Sequence, residues 1–347
     1  MTSVDCNPMV ALANSKFLKL SLAFNLIITL SAVPVLFWAT WKLWSMRYSK
    51  LFHINFKIII QLHLFGFLLH CTGRIILHSM DLINYTFRDN PCDMIPNIYR
   101  CFVLRLMYNT GLWITNSTAV SLVIERWLAT KKSATYEESS VLLGIFVAVL
   151  QFVIAAIPLG VLYSKFQFEG GEPMYYCVTA QASVPWAGQM SAIVGFMFQM
   201  CSRLSFHYLY RQNKVRVAVA YTDEKSSIQH NRESNIHHST LSNRYQLEQN
   251  MSSIACLKTF ANISTTFIVI YNTCYITLMY VAGSWKEQYL YYGILEINLA
   301  FPSYAIISIF VLSGTMKKIR KRIGVVLVSH LNTPHNHYFE NFKRQIA

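Results

Sequence analysis

Charge is what this sequence has least of. Only 13% of its 347 residues are Asp, Glu, Lys or Arg, against about 25% in an ordinary soluble domain. Acids are the scarcer sign, with 16 Asp and Glu facing 30 Lys and Arg. The apolar runs hold too few acids for a paired-carboxylate mechanism. Gly-x-Gly-Asp, His-Glu-x-x-His and Gly-x-Ser-x-Gly are also absent, so the common hydrolytic patterns are missing. Neither an enzyme nor a bound cofactor is expected. There is no internal repeat to suggest an inverted-repeat transporter. The first eighteen residues lack a basic segment followed by an apolar core, so no cleaved signal is expected. The first apolar run would act as its own insertion signal.

What the chain has is apolar length. Hydrophobic residues make up 54% of it, and the mean hydropathy is +0.33. Runs of about 20 apolar residues recur, each enough to cross a bilayer as a helix. Lipid offers no partner for backbone polar groups, so a spanning segment must be helical or part of a closed barrel. These runs are too long and continuous for barrel strands. The expected fold is all-α: a polytopic membrane protein with a seven-transmembrane helix bundle. Spans are expected at about 20–41, 54–77, 101–126, 141–163, 184–208, 254–281 and 289–312. Residues 1–18 would form the N-terminus, 19–313 the membrane domain, 210–253 a partly disordered loop, and 314–347 a tail opening with a basic amphipathic helix.

Basic residues orient the bundle, because they gather on the cytoplasmic side. Lys42, Arg47, Lys50 and Lys57 flank the first loop with no acid among them. Arg126, Lys131 and Lys132 follow span three, and Lys317, Lys318, Arg320, Lys321 and Arg322 follow span seven. These all fall on one side if the N-terminus is extracellular. The net charge of +14 is then a cytoplasmic-face charge, with membrane lipid and not nucleic acid as its partner. Four of the eight cysteines, Cys6, Cys92, Cys101 and Cys177, fall outside, where disulfides form. Cys101–Cys177 would tie the top of span three to the second outer loop. Cys6–Cys92 would make a second bridge. Sequence alone leaves three connectivities open. Asn84 heads an outer Asn-Tyr-Thr glycosylation sequon.

Charges inside spans mark function or a helix end. Span two carries His63, His70, Arg74 and His78 on one helical face, which should point into the bundle. Arg74 and His78, at its outer end, are candidate ligand contacts. Internal hydrogen bonding is the plainer reading. A metal site is not expected, since no ligand-spaced cluster accompanies them. Arg105 in span three and Glu296 in span seven occupy outer halves. They could pair, or Arg105 could bind an acidic ligand. Tyr108, Asn109 and Trp186 are candidate neighbours, with packing as the alternative for each aromatic. Glu125-Arg126 closes span three at its inner end. There the arginine could bond its neighbouring acid or reach span six, a contact that activation could break. The plainer reading is an arginine snorkelling to the interface.

A cysteine opening span three and Glu-Arg closing it resembles the pattern of G-protein-coupled receptors. A narrower set resembles the nematode serpentine chemoreceptors of the Sra superfamily, most closely the alpha/beta class. It comprises Phe52-His53-Ile54-Asn55, Cys92-Asp93, Glu125-Arg126, Tyr136-Glu137 and Leu241-Ser242-Asn243-Arg244-Tyr245-Gln246-Leu247-Glu248-Gln249-Asn250. The resemblance implies sensing of a small external chemical, coupling to a heterotrimeric G protein, and a place in the plasma membrane of sensory-neuron cilia. It leaves a monomer, homo-oligomer or hetero-oligomer open. A ligand-gated odorant channel of inverted topology is the alternative, which the basic residues oppose. Span six lacks a proline, and span seven carries Phe301-Pro302-Ser303-Tyr304 well above its inner end. The rhodopsin-like activation route is therefore not expected in detail.

Overall fold

The computed structural model describes residues 6–45, 53–132, 136, 140–164, 166, 168, 174–178, 185–228, 234–281 and 285–331. Phe52, Glu137 and the tail beyond 331 lie outside the described residues, as do the side chains of residues 220–249. Nine α-helices are described. In chain order they are α1 (Asn7–Asn14), α2 (Lys16–Trp44), α3 (Ile54–Phe87), α4 (Ile98–Lys131), α5 (Val141–Tyr163), α6 (Pro185–Ile228), α7 (Ser234–Val281), α8 (Gln288–Asn298) and α9 (Phe301–Leu331). Spans one to six correspond to α2–α7, and span seven is α8 followed by α9. There is no strand among the described residues.

Short polar residues start several helices where their first N–H groups need an acceptor. The side chain of Ser15 accepts from the Leu18 amide at 3.2 Å. Asn97 accepts from Tyr99 at 2.8 Å, and Ser140 accepts from Leu142 at 3.1 Å. Three of these boundaries are thus written locally in the sequence. The helix α1 was not expected from the polar start of the chain. It packs Met9 and Leu12 into an outer apolar cluster with Tyr176, Tyr292 and Leu295. Residues 210–253, expected to be partly disordered, carry the ends of α6 and α7 over their described part. The basic segment after span seven continues α9 to Leu331 as one helix.

Among the described residues, five segments are long and apolar enough to cross a membrane by length and composition: Lys16–Trp44, Ile54–Phe87, Val141–Tyr163, Asn250–Val281 and Gln288–Ile319. Helices α4 and α6 miss that mark, and for α4 the reason is its position. It contacts α3, α5, α6 and α7, so its polar side chains face protein. His63 of α3 lies 3.1 Å from Thr118 of α4, and Gln151 of α5 donates to the same hydroxyl at 2.7 Å. Gln199 of α6 donates to Asn116 at 3.4 Å and accepts from Ser264 of α7 at 2.8 Å. A polar ladder thus runs down the central helix.

Helices α3 and α4 approach most closely where each lacks a side chain. A Cβ on Gly66 would meet the Gly111 carbonyl at 2.9 Å, and one on Gly111 would run into the Gly66 carbonyl and the His70 amide. Small residues let membrane helices approach in this way. Below this crossing lies the largest apolar cluster, with Phe56, Ile59, Phe67, Leu122, Phe206, Phe260, Phe301 and Ile309.

Candidate functional site

Span seven is interrupted after Asn298, and the interruption builds the first site, at the end of the bundle that carries the disulfides. Pro302 sits in the first turn of α9, where its missing N–H does least harm. The break exposes a carbonyl at Leu299, which Arg74 of α3 caps. The same guanidinium donates to Glu296 at 2.7 Å and to His78 Nε2 at 3.0 Å. Glu296 is 0% exposed and Arg74 2%. Arg105 of α4 reaches Glu296 more loosely, at 3.4 Å, and its other terminal nitrogen donates to the Tyr108 hydroxyl. The Tyr176 hydroxyl donates to Glu296 at 2.9 Å from the second outer segment. Asn25 of α2 donates to the Glu296 carbonyl at 2.8 Å. One carboxylate thus joins spans two, three and seven to an outer loop, while its backbone joins span one.

Burial, then the charge of Glu296, holds the Tyr176 hydroxyl well above its ordinary pKa, so it remains a donor. Tyr176 also stacks on Tyr292 with centroids 4.6 Å apart. Its neighbour Cys177 is bonded to Cys101, which fixes the loop over span three. The second bridge, Cys6–Cys92, ties α1 to the first outer loop. Of the three connectivities open to the sequence, the structure contains this one. Beside the site, Arg100 pairs with Asp81 at 3.3 Å.

Arg74, His78, Arg105, Tyr108 and Glu296 therefore come together. Asn109 turns toward span four, donating to the Tyr163 hydroxyl at 2.7 Å. Trp186 does not join them. It is 55% exposed and lines a groove on the outer face of α5 and α6 with Val153, Ile157 and Gly160. Its position at the start of α6 turns it away from the other candidate residues. Asn84 lies in the last turn of α3. Sequence reasoning missed Tyr176, Asn25 and the role of Arg74 as a carbonyl cap. Only the proline two residues beyond the break hinted at the last.

The second site lies at the opposite end of α4. Glu125 is fully buried and accepts from Arg126 and from the Tyr136 hydroxyl. Burial, then the charge of Glu125, raises the pKa of Tyr136. Arg126 also donates to Asn250 of α7 at 3.2 Å. Asn250 in turn donates to Thr130 of α4 at 3.1 Å and to Asn213 of α6 at 3.1 Å. Asn213 closes the triangle by donating to Thr130 at 3.0 Å. The ends of spans three, five and six remote from the Cys101 disulfide are stitched by amides and hydroxyls around one arginine. Thr130 and Asn213 were not singled out from the sequence. Among the described residues, no group of three His, Cys, Asp or Glu could hold a metal ion.

The family profile described as "Serpentine type 7TM GPCR receptor class ab chemoreceptor" matches residues 3–347. The chain belongs to this family. It is a multi-pass membrane protein of a chemoreceptor class, not of an enzyme class. Among curated relatives, "Serpentine receptor class alpha/beta-14" of Caenorhabditis elegans is 24% identical over 204 residues. That stretch is 58% of this chain and 49% of the relative, so the chain spans about half the length of the relative it matches. The residues that carry the serpentine resemblance are partly explained by the fold. Asn55 packs where a Cβ on Gly144 would touch its Cα at 2.8 Å, Cys92 is a disulfide partner, and Tyr136 and Asn250 bracket Glu125-Arg126.

Proposed function

We propose that this chain is a G-protein-coupled chemosensory receptor with its N-terminus outside the cell. A small external chemical binds among the outer halves of spans two, three and seven, near Arg74, His78, Arg105, Tyr108 and Glu296. Binding favours an arrangement in which the inner ends of spans three, five and six part to admit a heterotrimeric G protein. The observation that carries this reading is the bonding of Arg126. It holds Glu125 on its own helix and Asn250 on α7 at once, at the end of α4 remote from the disulfide at Cys101. Such a contact has two arrangements, and a ligand shifts them only by its unequal affinity for each.

Placement in the plasma membrane of sensory cilia follows the family. Disulfides at Cys6, Cys92, Cys101 and Cys177 suit the extracellular side. Lys317, Lys318 and Lys321 are exposed on α9, and suit an anionic inner leaflet at about 1 kcal/mol per basic residue. Asn84 would carry glycan, and self- or hetero-association is compatible with this surface.

The test is to tag both termini and stain intact and then permeabilised cells, followed by GTPγS exchange on co-expressed G proteins. An exposed N-terminus, a hidden C-terminus and basal exchange raised by Arg126→Ala are expected. A hidden N-terminus sinks the reading and favours an inverted ligand-gated channel.

A further inference from the structure

We infer that the ligand recognised at Arg105 is a small organic carboxylate. This rests on the receptor reading for its biological meaning, but not for its chemistry. The outer site places two buried guanidiniums, Arg74 and Arg105, against one carboxylate, Glu296. The nearby acid Asp81 is engaged by Arg100. Among the described residues the cluster therefore carries more positive than negative charge, an arrangement that is costly out of water unless an anion completes it.

The two arginines are not equivalent. Each nitrogen of Arg74 has a partner, in His78, the Leu299 carbonyl and Glu296 respectively. Arg105, only 4% exposed, holds Glu296 at 3.4 Å, and its Nε has no hydrogen-bond partner among the described residues. The buried His78 Nδ1 and His70 Nε2 are also without partners. An unused Nε beside a loosely held terminal nitrogen presents the two-pronged edge that a carboxylate matches.

The exchange leaves no acid stranded. An incoming carboxylate takes Nε and Nη2 of Arg105, while Glu296 keeps Arg74 at 2.7 Å and Tyr176 at 2.9 Å. Beside Arg105 the Tyr108 ring lies 5.0 Å from the guanidinium carbon. On α7, Tyr271 and Tyr275 stack with centroids 6.2 Å apart. An acid head on Arg105 would bring an apolar or aromatic body toward these rings. A neutral molecule of the same shape leaves the excess charge uncompensated.

The experiment uses the purified full chain in nanodiscs and follows thermal unfolding. In the first arm, Glu296→Ala leaves both arginines without their acid and lowers the midpoint. Sodium acetate should restore it, and sodium chloride at equal ionic strength should not. The restoration should vanish when Arg105→Gln is added. Glu296→Gln serves the same purpose if the alanine variant does not fold. In the second arm, wild-type protein meets octanoate, benzoate and phenylacetate, each beside its methyl ester. At least one acid should raise the midpoint while its ester does not, and Arg105→Gln should weaken that acid about tenfold or more.

Equal action by chloride and acetate, acetate rescue that survives Arg105→Gln, esters as effective as acids, or no response to any acid would each overturn the inference. GTPγS exchange separates the two readings. Carboxylate binding with no exchange leaves the acid site standing and removes the receptor assignment. Exchange driven only by the esters does the reverse.

Discussion

Asn250→Ala should make the protein signal without a ligand. The side chain makes three contacts across the inner bundle, with Arg126, Thr130 and Asn213 at 3.2, 3.1 and 3.1 Å. Between membrane helices such bonds average about 0.6 kcal/mol each, so their joint loss amounts to about 2 kcal/mol. If they belong to the resting arrangement alone, the equilibrium shifts toward the active one by about 30-fold. The estimate is a lower bound for the Arg126 bond, since charged partners give about 1.5–3 kcal/mol where water is excluded. The Asn213–Thr130 bond at 3.0 Å remains, so the helices should not separate outright. The assay is basal GTPγS exchange in membranes, normalised to surface protein, for Asn250→Ala beside wild type. A several-fold to 30-fold rise is expected. Unchanged or lower basal exchange at equal surface expression would refute the idea that this amide restrains the inner ends.

Tyr136→Phe removes a hydroxyl donor from Glu125 and should raise basal exchange by less than Asn250→Ala does. The raised pKa of Tyr136 also gives a pH effect. Its contribution is fully present below the ordinary tyrosine value near 10 and is lost as pH climbs through the folded value. Melting curves above pH ~10 should therefore fall more steeply for wild type than for Tyr136→Phe. Gly111→Ala places a methyl group against the backbone of Gly66 and His70, which cannot swing aside. A loss of about 1–3 kcal/mol is expected, read as a lower melting midpoint, whereas Gly160→Ala, with open space at its Cβ, should be near neutral. Cys101→Ser frees the loop that carries Tyr176 over Glu296. About 2–5 kcal/mol of stability should go, and ligand response should fall further than in Cys6→Ser at matched surface level.

The amino-acid sequence alone determined the helical class, the number and order of the spans, and the membrane setting. For most spans those properties follow from composition and run length, which lipid reads directly; α4 and α6 are more polar, α4 because it packs inside the bundle. The sequence also placed Cys101 and the Glu125-Arg126 pair near opposite ends of α4, which runs on to Lys131, and it set His63, His70, Arg74 and His78 on one face of α3. Tertiary structure decided which of these groups meet. Arg74 and Glu296 lie 222 residues apart and join only because α8 ends where it does and leaves the Leu299 carbonyl for Arg74. Trp186 and Arg105 look equally suited to a pocket in sequence, yet one faces outward and the other the bundle axis, a difference set by helix rotation. Asn213 and Thr130 are ordinary polar residues along the chain, and Asn250 is marked only as the close of a family-like stretch. They become a joint only when α4, α6 and α7 bring their inner ends within hydrogen-bond reach. Apolarity is a sum over a segment and survives in one dimension. Bond geometry is a relation between segments and exists only after packing.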